Sequence, residues 1–493
     1  MTRAGAIGLL MMGAAAVAAP RAYGQQTSSP PAAAAQPPLD LGPTVPTTTA
    51  PLAEGAAKAK PPGDDPTRLP ATGPLSGIGK ILADDGVKFR AMYYLEPADA
   101  LSGGVHDKYD TVGQLYFGAD LDLQKILGIT GGSFHFTFYR DTGNSLNKNN
   151  TGTFVKEQEI YKNDFPQLHL GLVSYEQRLF DNRLDIIIGR LGSTAYFGHV
   201  APGCYFQSGS TCGIPSILNS ETGFTLLPSA TWGGNVKYKF TQHTYVDFGS
   251  FEINPFIAHT AGFTWGTHYA TGDSSAIEFG YDNSDIRKTA YPTELKAGYY
   301  AATAPRNNPF YNTLDQSIAL HGGKALVADS LRQGAWLVGS RTIWRPDLTS
   351  THNLTAFGGY VQPFEKEEVM DAQIFGGLLL RGTFAGRPDD TIGFETTWFH
   401  LSPLEREYLR DARIKDGGPD ENNKSNQFVM ELDYGIQLHR AIRLTPNFQY
   451  IINPDNSNLP KINFVPKNLS VIGIKLVIDL ADLVGLPHSA LGD

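Results

Sequence analysis

From Val87 onward the chain alternates apolar and polar residues with a period of two. Between Gln427 and Leu438, the residues Phe428, Met430, Leu432, Tyr434, Ile436 and Leu438 fall on one face. Gln427, Glu431, Asp433 and Gln437 fall on the other. Successive side chains of a strand point to opposite sides, so one side is apolar and the other charged. Residues 441–452 repeat the pattern, with Ile442, Leu444, Phe448, Tyr450 and Ile452 against Arg443, Thr445, Asn447 and Gln449. Leu115, Phe117, Ala119, Leu121 and Leu123 oppose Gln114, Asp120 and Asp122 in the same way. The periodicity predicts sixteen strands, over 87–95, 112–123, 132–139, 167–175, 183–190, 231–240, 243–252, 275–283, 293–301, 334–343, 352–362, 372–381, 390–399, 426–437, 441–452 and 468–480.

Alternation alone also fits a soluble sandwich. Length argues against that reading. Strands of about 9–12 residues are long enough to cross a bilayer at a tilt, whereas soluble strands usually have about 5–6. Aromatic residues recur near strand ends, at Tyr93-Tyr94, Tyr299-Tyr300, Trp344 and Trp398-Phe399, where interfacial girdles lie in outer-membrane barrels. The connectors sort by parity. Those after odd strands, 96–111, 140–166, 191–230, 253–274, 302–333, 400–425 and 453–467, are all longer than those after even strands; only 363–371 matches the longest even one. Short turns on one side of the membrane and long loops on the other produce such sorting. Closure into a barrel also satisfies every backbone N–H and C=O within lipid. The expected fold is therefore all-β, a 16-stranded antiparallel transmembrane β-barrel of the outer membrane over 87–480, with both termini periplasmic.

The ends fill in the organisation. Arg3 followed by the apolar run Ala6–Ala19 and the small-residue site at Ala22-Tyr23-Gly24 reads as a signal peptide over 1–24. Residues 25–74 are rich in Pro and Ala without apolar periodicity, as expected of a disordered periplasmic linker. Residues 75–86 place Leu75, Ile78, Ile81 and Leu82 at helical spacing, predicting a short periplasmic helix at the lower rim. Residues 481–493 form a C-terminal tail. The net charge of −9 gives no sign of a nucleic-acid partner. Cys204 and Cys212 are the sole cysteines, and in an exported chain such a close pair reads as one disulfide. A zinc site would need two further ligands, with His199 the one nearby candidate. No metal-helix, nucleophile-elbow or phosphate-loop motif is present, so neither an enzyme nor a cofactor is expected. The remote alternative is a barrel hydrolase built on His135 or His400.

Several segments resemble the carbohydrate-selective porins of the OprB family: Leu75-Ser76-Gly77-Ile78 leading to Asp85-Gly86-Val87, Thr231-Trp232-Gly233-Gly234-Asn235-Val236-Lys237, Phe263-Thr264-Trp265-Gly266 with Glu278-Phe279-Gly280-Tyr281, and Leu444-Thr445-Pro446-Asn447-Phe448-Gln449-Tyr450 with Asn453-Pro454. The resemblance spans roughly residues 75–480 and implies passive diffusion of small sugars, monosaccharides such as glucose, into the periplasm. The chain departs from the usual pattern in ending on Gly492-Asp493, where barrels of this kind usually end on an aromatic residue.

A sixteen-stranded barrel encloses an aqueous lumen, and something must narrow it. The longest connector, 191–230, stiffened by its cysteines, is expected to fold inward. The polar face carries both signs: Lys88, Arg90, Asp120, Lys237, Lys239, Asp247, Glu278, Lys296, Arg381, Glu395, Glu431, Asp433, Arg443 and Lys475. Ion-selective pores use rings of one sign. Mixed charges suit a neutral polyhydroxyl solute that exchanges water for protein partners at little net energy. The expected pore-lining set is Arg90, Glu278, Lys296, Glu395, Glu431, Asp433, Asn447 and Gln449, with Trp265 stacking on a sugar ring. The expected partners are small sugars and outer-membrane lipid, with the barrel a homotrimer or a monomer. A general or anion-selective porin is the alternative function.

Overall fold

The computed structural model describes residues 73–160, 168–285, 288–328, 331–348 and 350–488. The expected signal peptide, nearly all of the linker and the last five residues of the tail lie outside them.

The sixteen strands are β1 (Val87–Gly104), β2 (Tyr109–Asp122), β3 (Gly132–Gly143), β4 (His169–Leu179), β5 (Leu184–Leu191), β6 (Thr231–Lys239), β7 (Thr244–Ile253), β8 (Gly272–Asn283), β9 (Thr293–Ala302), β10 (Arg332–Trp344), β11 (Asn353–Pro363), β12 (Met370–Arg381), β13 (Thr391–Leu401), β14 (Asn426–His439), β15 (Ile442–Ile452) and β16 (Lys467–Asp479). Each pairs antiparallel with the next, and β1 pairs with β16, so the sheet is a closed barrel. Closure leaves no edge strand.

The barrel is apolar outside and polar within. Exposed large side chains such as Phe117, Ile188, Phe248, Phe279, Leu337, Leu378, Leu432 and Ile472 all stand on the outward face. In water such a belt would be an aggregation surface; in hydrocarbon it costs nothing. The inward face holds the buried charges, paired across neighbouring strands by the register: Lys237 with Asp247, Asp247 with Glu278, and Glu395 with Glu431.

Every predicted strand is present, but two loops are shorter than expected. The first long connector shrinks to 105–108, because β1 and β2 run on as a hairpin well past the expected ends. Pro97, which has no N–H, and the acids Glu96 and Asp99 interrupt the alternation that would have signalled this continuation. The connector 364–369 is also short. The remaining odd connectors, 144–168, 192–230, 254–271, 303–331, 402–425 and 453–466, emerge at one end, here called the loop end. The first residue of β1 and the last of β16, Val87 and Asp479, lie at the opposite, turn end. There the predicted helix forms at Ser76–Asp84 and packs beside the tail, with Leu75 N–H donating to the Val484 carbonyl at 2.9 Å.

At the loop end a two-stranded hairpin, Arg306–Asn312 with Ala325–Ala328, and the helix Pro403–Lys415 were not foreseen. The helix is capped by Ser402, whose Oγ accepts from Glu405 N–H at 3.2 Å, and Pro403 opens its first turn, where a missing N–H is harmless. Arg306 ion-pairs with Glu221 and Glu368, tying the hairpin to loop 192–230 and to the connector before β12.

Candidate functional site

Two loops enter the barrel. Loop 192–230 crosses the interior as expected, and part of loop 144–168 joins it. Their apolar residues, Leu146, Phe154 and Val155 from one and Phe197, Phe206, Ile217, Leu218 and Phe224 from the other, share a core with inward residues of the wall such as Trp336 and Phe399. An inward-folding second loop was not anticipated.

The wall grips loop 192–230 through its charged side chains. Glu431 on β14 is 0% exposed; its two oxygens accept the backbone N–H groups of Gln207 and Ser208, each at 2.7 Å. Glu395, facing it on β13, accepts the Thr211 hydroxyl at 2.6 Å. Glu278 on β8 accepts Gly198 N–H at 2.7 Å, Trp336 Nε1–H at 3.0 Å and the Tyr245 hydroxyl at 3.0 Å. Gly198 has φ +65°, a conformation that suits glycine. Lys296 donates to the His199 carbonyl at 2.9 Å. Lys475 donates to the carbonyls of Cys204 and Phe206, both at 2.9 Å, and to Glu159 of the other loop at 2.5 Å. Asn447 donates to Gln207 Oε1 at 2.5 Å, and Gln449 to the Glu157 carbonyl at 2.7 Å. Gln207 lies over Gly473, where a Cβ would stand 2.5 Å from its Oε1.

Charge-assisted bonds of this kind are the strong ones inside a protein, and here they fasten the loop at several points around the wall. Sequence reasoning placed Glu278, Lys296, Glu395, Glu431, Asn447 and Gln449 on the polar face, where the structure has them. It treated them as an open wall facing solute, whereas they lie beneath the loop and bond to it. Asp433 is tucked against Gly393 on the same patch. Arg90 lies elsewhere, nearer the turn end. Its guanidinium meets Asp120 at 2.6 Å, and a chain of partners continues from strand to strand: His135 to Asp120 at 2.5 Å, His135 to Glu176 at 3.0 Å and Arg178 to Glu176 at 2.5 Å. Lys237 and Asp247 pair at 2.8 Å further round.

Trp265 corrects the expectation most clearly. Its ring lies 5.7 Å from that of Trp232, and its carbonyl accepts Trp232 Nε1–H at 3.0 Å. Trp232 stands on the outward face of β6, in line with the exposed Val236 and Tyr238. Loop 254–271 folds over this rim, and Arg190 is held there by the carbonyls of Ala230, Gly262 and Thr264. Trp265 therefore belongs to the outer rim and not to the lumen. An aromatic ring that does stand inside is Tyr205, at the tip of loop 192–230. Arg381 donates to its hydroxyl at 2.7 Å and Arg443 lies 5.0 Å over its ring. Both arginines were on the predicted polar face, but nothing in the sequence marked Tyr205.

Burial sets the charge of the loop groups. His199 is pushed down to about 3 by burial and by Lys296, so it is a neutral ring. Glu157 is pushed up to about 7 by burial, against the hydroxyls of Thr153 and Thr151 that donate to it. The Sγ atoms of Cys204 and Cys212 lie 2.7 Å apart. No group of three or more His, Cys, Asp or Glu suited to a metal occurs among the described residues.

A closed sixteen-stranded barrel with a lipid-facing belt and loops fastened across its lumen is the architecture of an outer-membrane porin. Residues 106–480 match the OprB family of carbohydrate-selective porins. The chain belongs to this family. It is 26% identical over 398 residues to Porin B of Pseudomonas aeruginosa, covering 78% of this chain and 86% of that protein. It is also 26% identical over 403 residues to the putative porin QuiX of Acinetobacter baylyi, covering 78% and 88%. The high-pH structure of Pseudomonas putida OprB superposes with a TM-score of 0.72 at 25% identity, covering 83% of this chain and 97% of that one.

Proposed function

We propose that the protein admits monosaccharides such as glucose through the outer membrane by passive diffusion, and that loop 192–230 sets the selectivity. The observation that carries this reading is the mixed-sign fastening of the loop. Glu278, Glu395 and Glu431 stand with Lys296 and Lys475 on the inward face, and each of the five bonds to a group of the loop. The bore left beside the loop then has no ring of one sign to select an ion. Arg381, Arg443 and Tyr205 offer hydroxyl-binding donors and an aromatic face, and the pore-lining set acts chiefly by holding the loop that presents them. Transport needs binding weak enough to release, so affinity is millimolar, about −4 kcal/mol.

The long loops lie outside the cell and both termini in the periplasm, as short turns and long loops do in barrels of this class. Cys204 and Cys212 form a disulfide in the exported protein, a reading that rests on their spacing and compartment. The barrel works without cofactor or enzyme activity; His135 and His400 are each bonded to carboxylates, Asp120 and Glu176 for one and Asp371 for the other. Reversal potentials across planar bilayers in a salt gradient test the selectivity reading. Weak selectivity is expected, and a strong anion preference would assign the anion-selective alternative instead.

A further inference from the structure

Lys475 stands on the inward face of β16, 2% exposed, where the two infolded loops meet. An ammonium group has three N–H donors and no acceptor, and three oxygens surround this one. The Glu159 carboxylate of loop 144–168 accepts at 2.5 Å. The carbonyls of Cys204 and Phe206 in loop 192–230 accept at 2.9 Å each. Close by, the loops meet through a backbone bond, Gly209 N–H to the Lys156 carbonyl at 2.9 Å.

The loops also have fastenings of their own. Glu278, Glu395 and Glu431 accept from loop 192–230. Gln449 of β15 donates to the Glu157 carbonyl at 2.7 Å, and Glu96 of β1 accepts Ile160 N–H at 3.2 Å. Lys475 differs in that one wall group binds both loops. The apolar contacts the loops share are non-directional, whereas the ammonium fixes one loop against the other at a point. Removing it would strand the Glu159 carboxylate, whose side chain is 2% exposed, and a buried charge without its partner is strongly destabilising.

We propose that Lys475 is the positioning residue of the constriction. By binding both loops with one ammonium it makes them a single body, so that the bore left for a solute is set by two loops together. The proposal rests on the reading of the protein as a loop-narrowed sugar channel and adds to it the residue that couples the loops.

The test is hydrogen exchange read by mass spectrometry on the full-length protein, over 154–160 and 201–211, with glucose and zwitterionic amino-acid entry into proteoliposomes measured alongside. Lys475→Met removes the charge with little change in length. Protection should fall about tenfold in both segments, as loss of one charge-assisted bond from each loop requires, and the preference for glucose should narrow with it. Lys475→Met/Glu159→Leu also removes the stranded carboxylate. Protection of 154–160 should return toward wild type, because replacing a buried ion pair by apolar groups costs little, while 201–211 stays loosened for want of its donor. The double variant leaves Glu159 no stranded charge, so it carries the test if Lys475→Met fails to assemble. Loosening of one segment alone in Lys475→Met, equal loosening of both in the double variant, or wild-type protection of 201–211 there overturns the joint. Loosened loops with an unchanged glucose preference overturn its role in setting the bore. A wild-type protein that admits glucose and the amino acid equally overturns the sugar reading, and the exchange data then still decide the joint.

Discussion

Replacing Glu431 by Ala removes the carboxylate that receives Gln207 and Ser208 N–H at 2.7 Å. Two charge-assisted hydrogen bonds are lost, each contributing about 1.5–3 kcal/mol. Two backbone N–H groups are left facing a small void at a site that is 0% exposed. The tip keeps its bonds to Lys475 and Asn447, so it should loosen without leaving the lumen entirely. Allowing for water entering the void, we expect the closed position to lose about 3 kcal/mol, roughly a 150-fold shift toward displaced loop states. Glu431→Gln keeps one acceptor and turns an NH2 toward the other N–H, so it should behave as an intermediate case. In planar bilayers Glu431→Ala should give larger and noisier unit conductance, and in proteoliposomes it should narrow the difference between sugar and amino-acid entry. Leu432→Ala, one residue along on the lipid face, should do neither. Barrel assembly, read by heat-modifiable migration on gels, should survive in all three. Unchanged conductance and unchanged discrimination in Glu431→Ala would refute the claim that this carboxylate fastens the constriction.

Protease added to intact cells should cut loops such as 303–331 and 402–425, and cleavage at Thr241 or Gln242 would reverse the proposed topology. Thiol labelling of denatured, unreduced protein should find no free thiol; two reactive cysteines would show that Cys204 and Cys212 are not joined. Burial pushes Glu405 up to about 8, against the Ser457 hydroxyl and with Asp455 adding to the rise. Its contribution to stability is therefore complete below about 4.5 and is lost as pH rises through about 8. Hydrogen-exchange protection factors in 402–425, corrected for the intrinsic rise of exchange with pH, should fall over that window in the wild type and stay level in Glu405→Gln. Trp265→Ala should leave sugar block unchanged, because the ring lies at the outer rim; a weakened block would return it to the lumen.

The barrel was legible because its driving pattern is local. A strand with lipid on one side and water or protein on the other must alternate, and each of the sixteen did. The ends of β1 and β2 were hidden because Pro97 and the acids around it mimic a loop. The helix Pro403–Lys415 left a signal in Ser402-Pro403-Leu404-Glu405, a capping residue with Pro behind it and Glu at the third position, which the dominant period of two obscured. At the site, alternation gave the inward residues but not their partners. Glu278, Glu395 and Glu431 read as pore-lining charges, and only the path of loop 192–230 shows that they bond to its backbone N–H groups, which no side-chain pattern encodes. Trp265 was misplaced for the same reason. A loop residue has no strand register to say which side of the wall it reaches. The path of 144–160 into the barrel depends on contacts such as Phe154 N–H to Asp455, across most of the length of the chain.

The central claim is that a wide barrel becomes sugar-selective because its loops are fastened across the lumen. Parallel entry rates of glucose and of a zwitterionic amino acid of similar size into proteoliposomes of the pure protein test it most directly. The account predicts faster entry of glucose; equal rates, or faster entry of the amino acid, would contradict it.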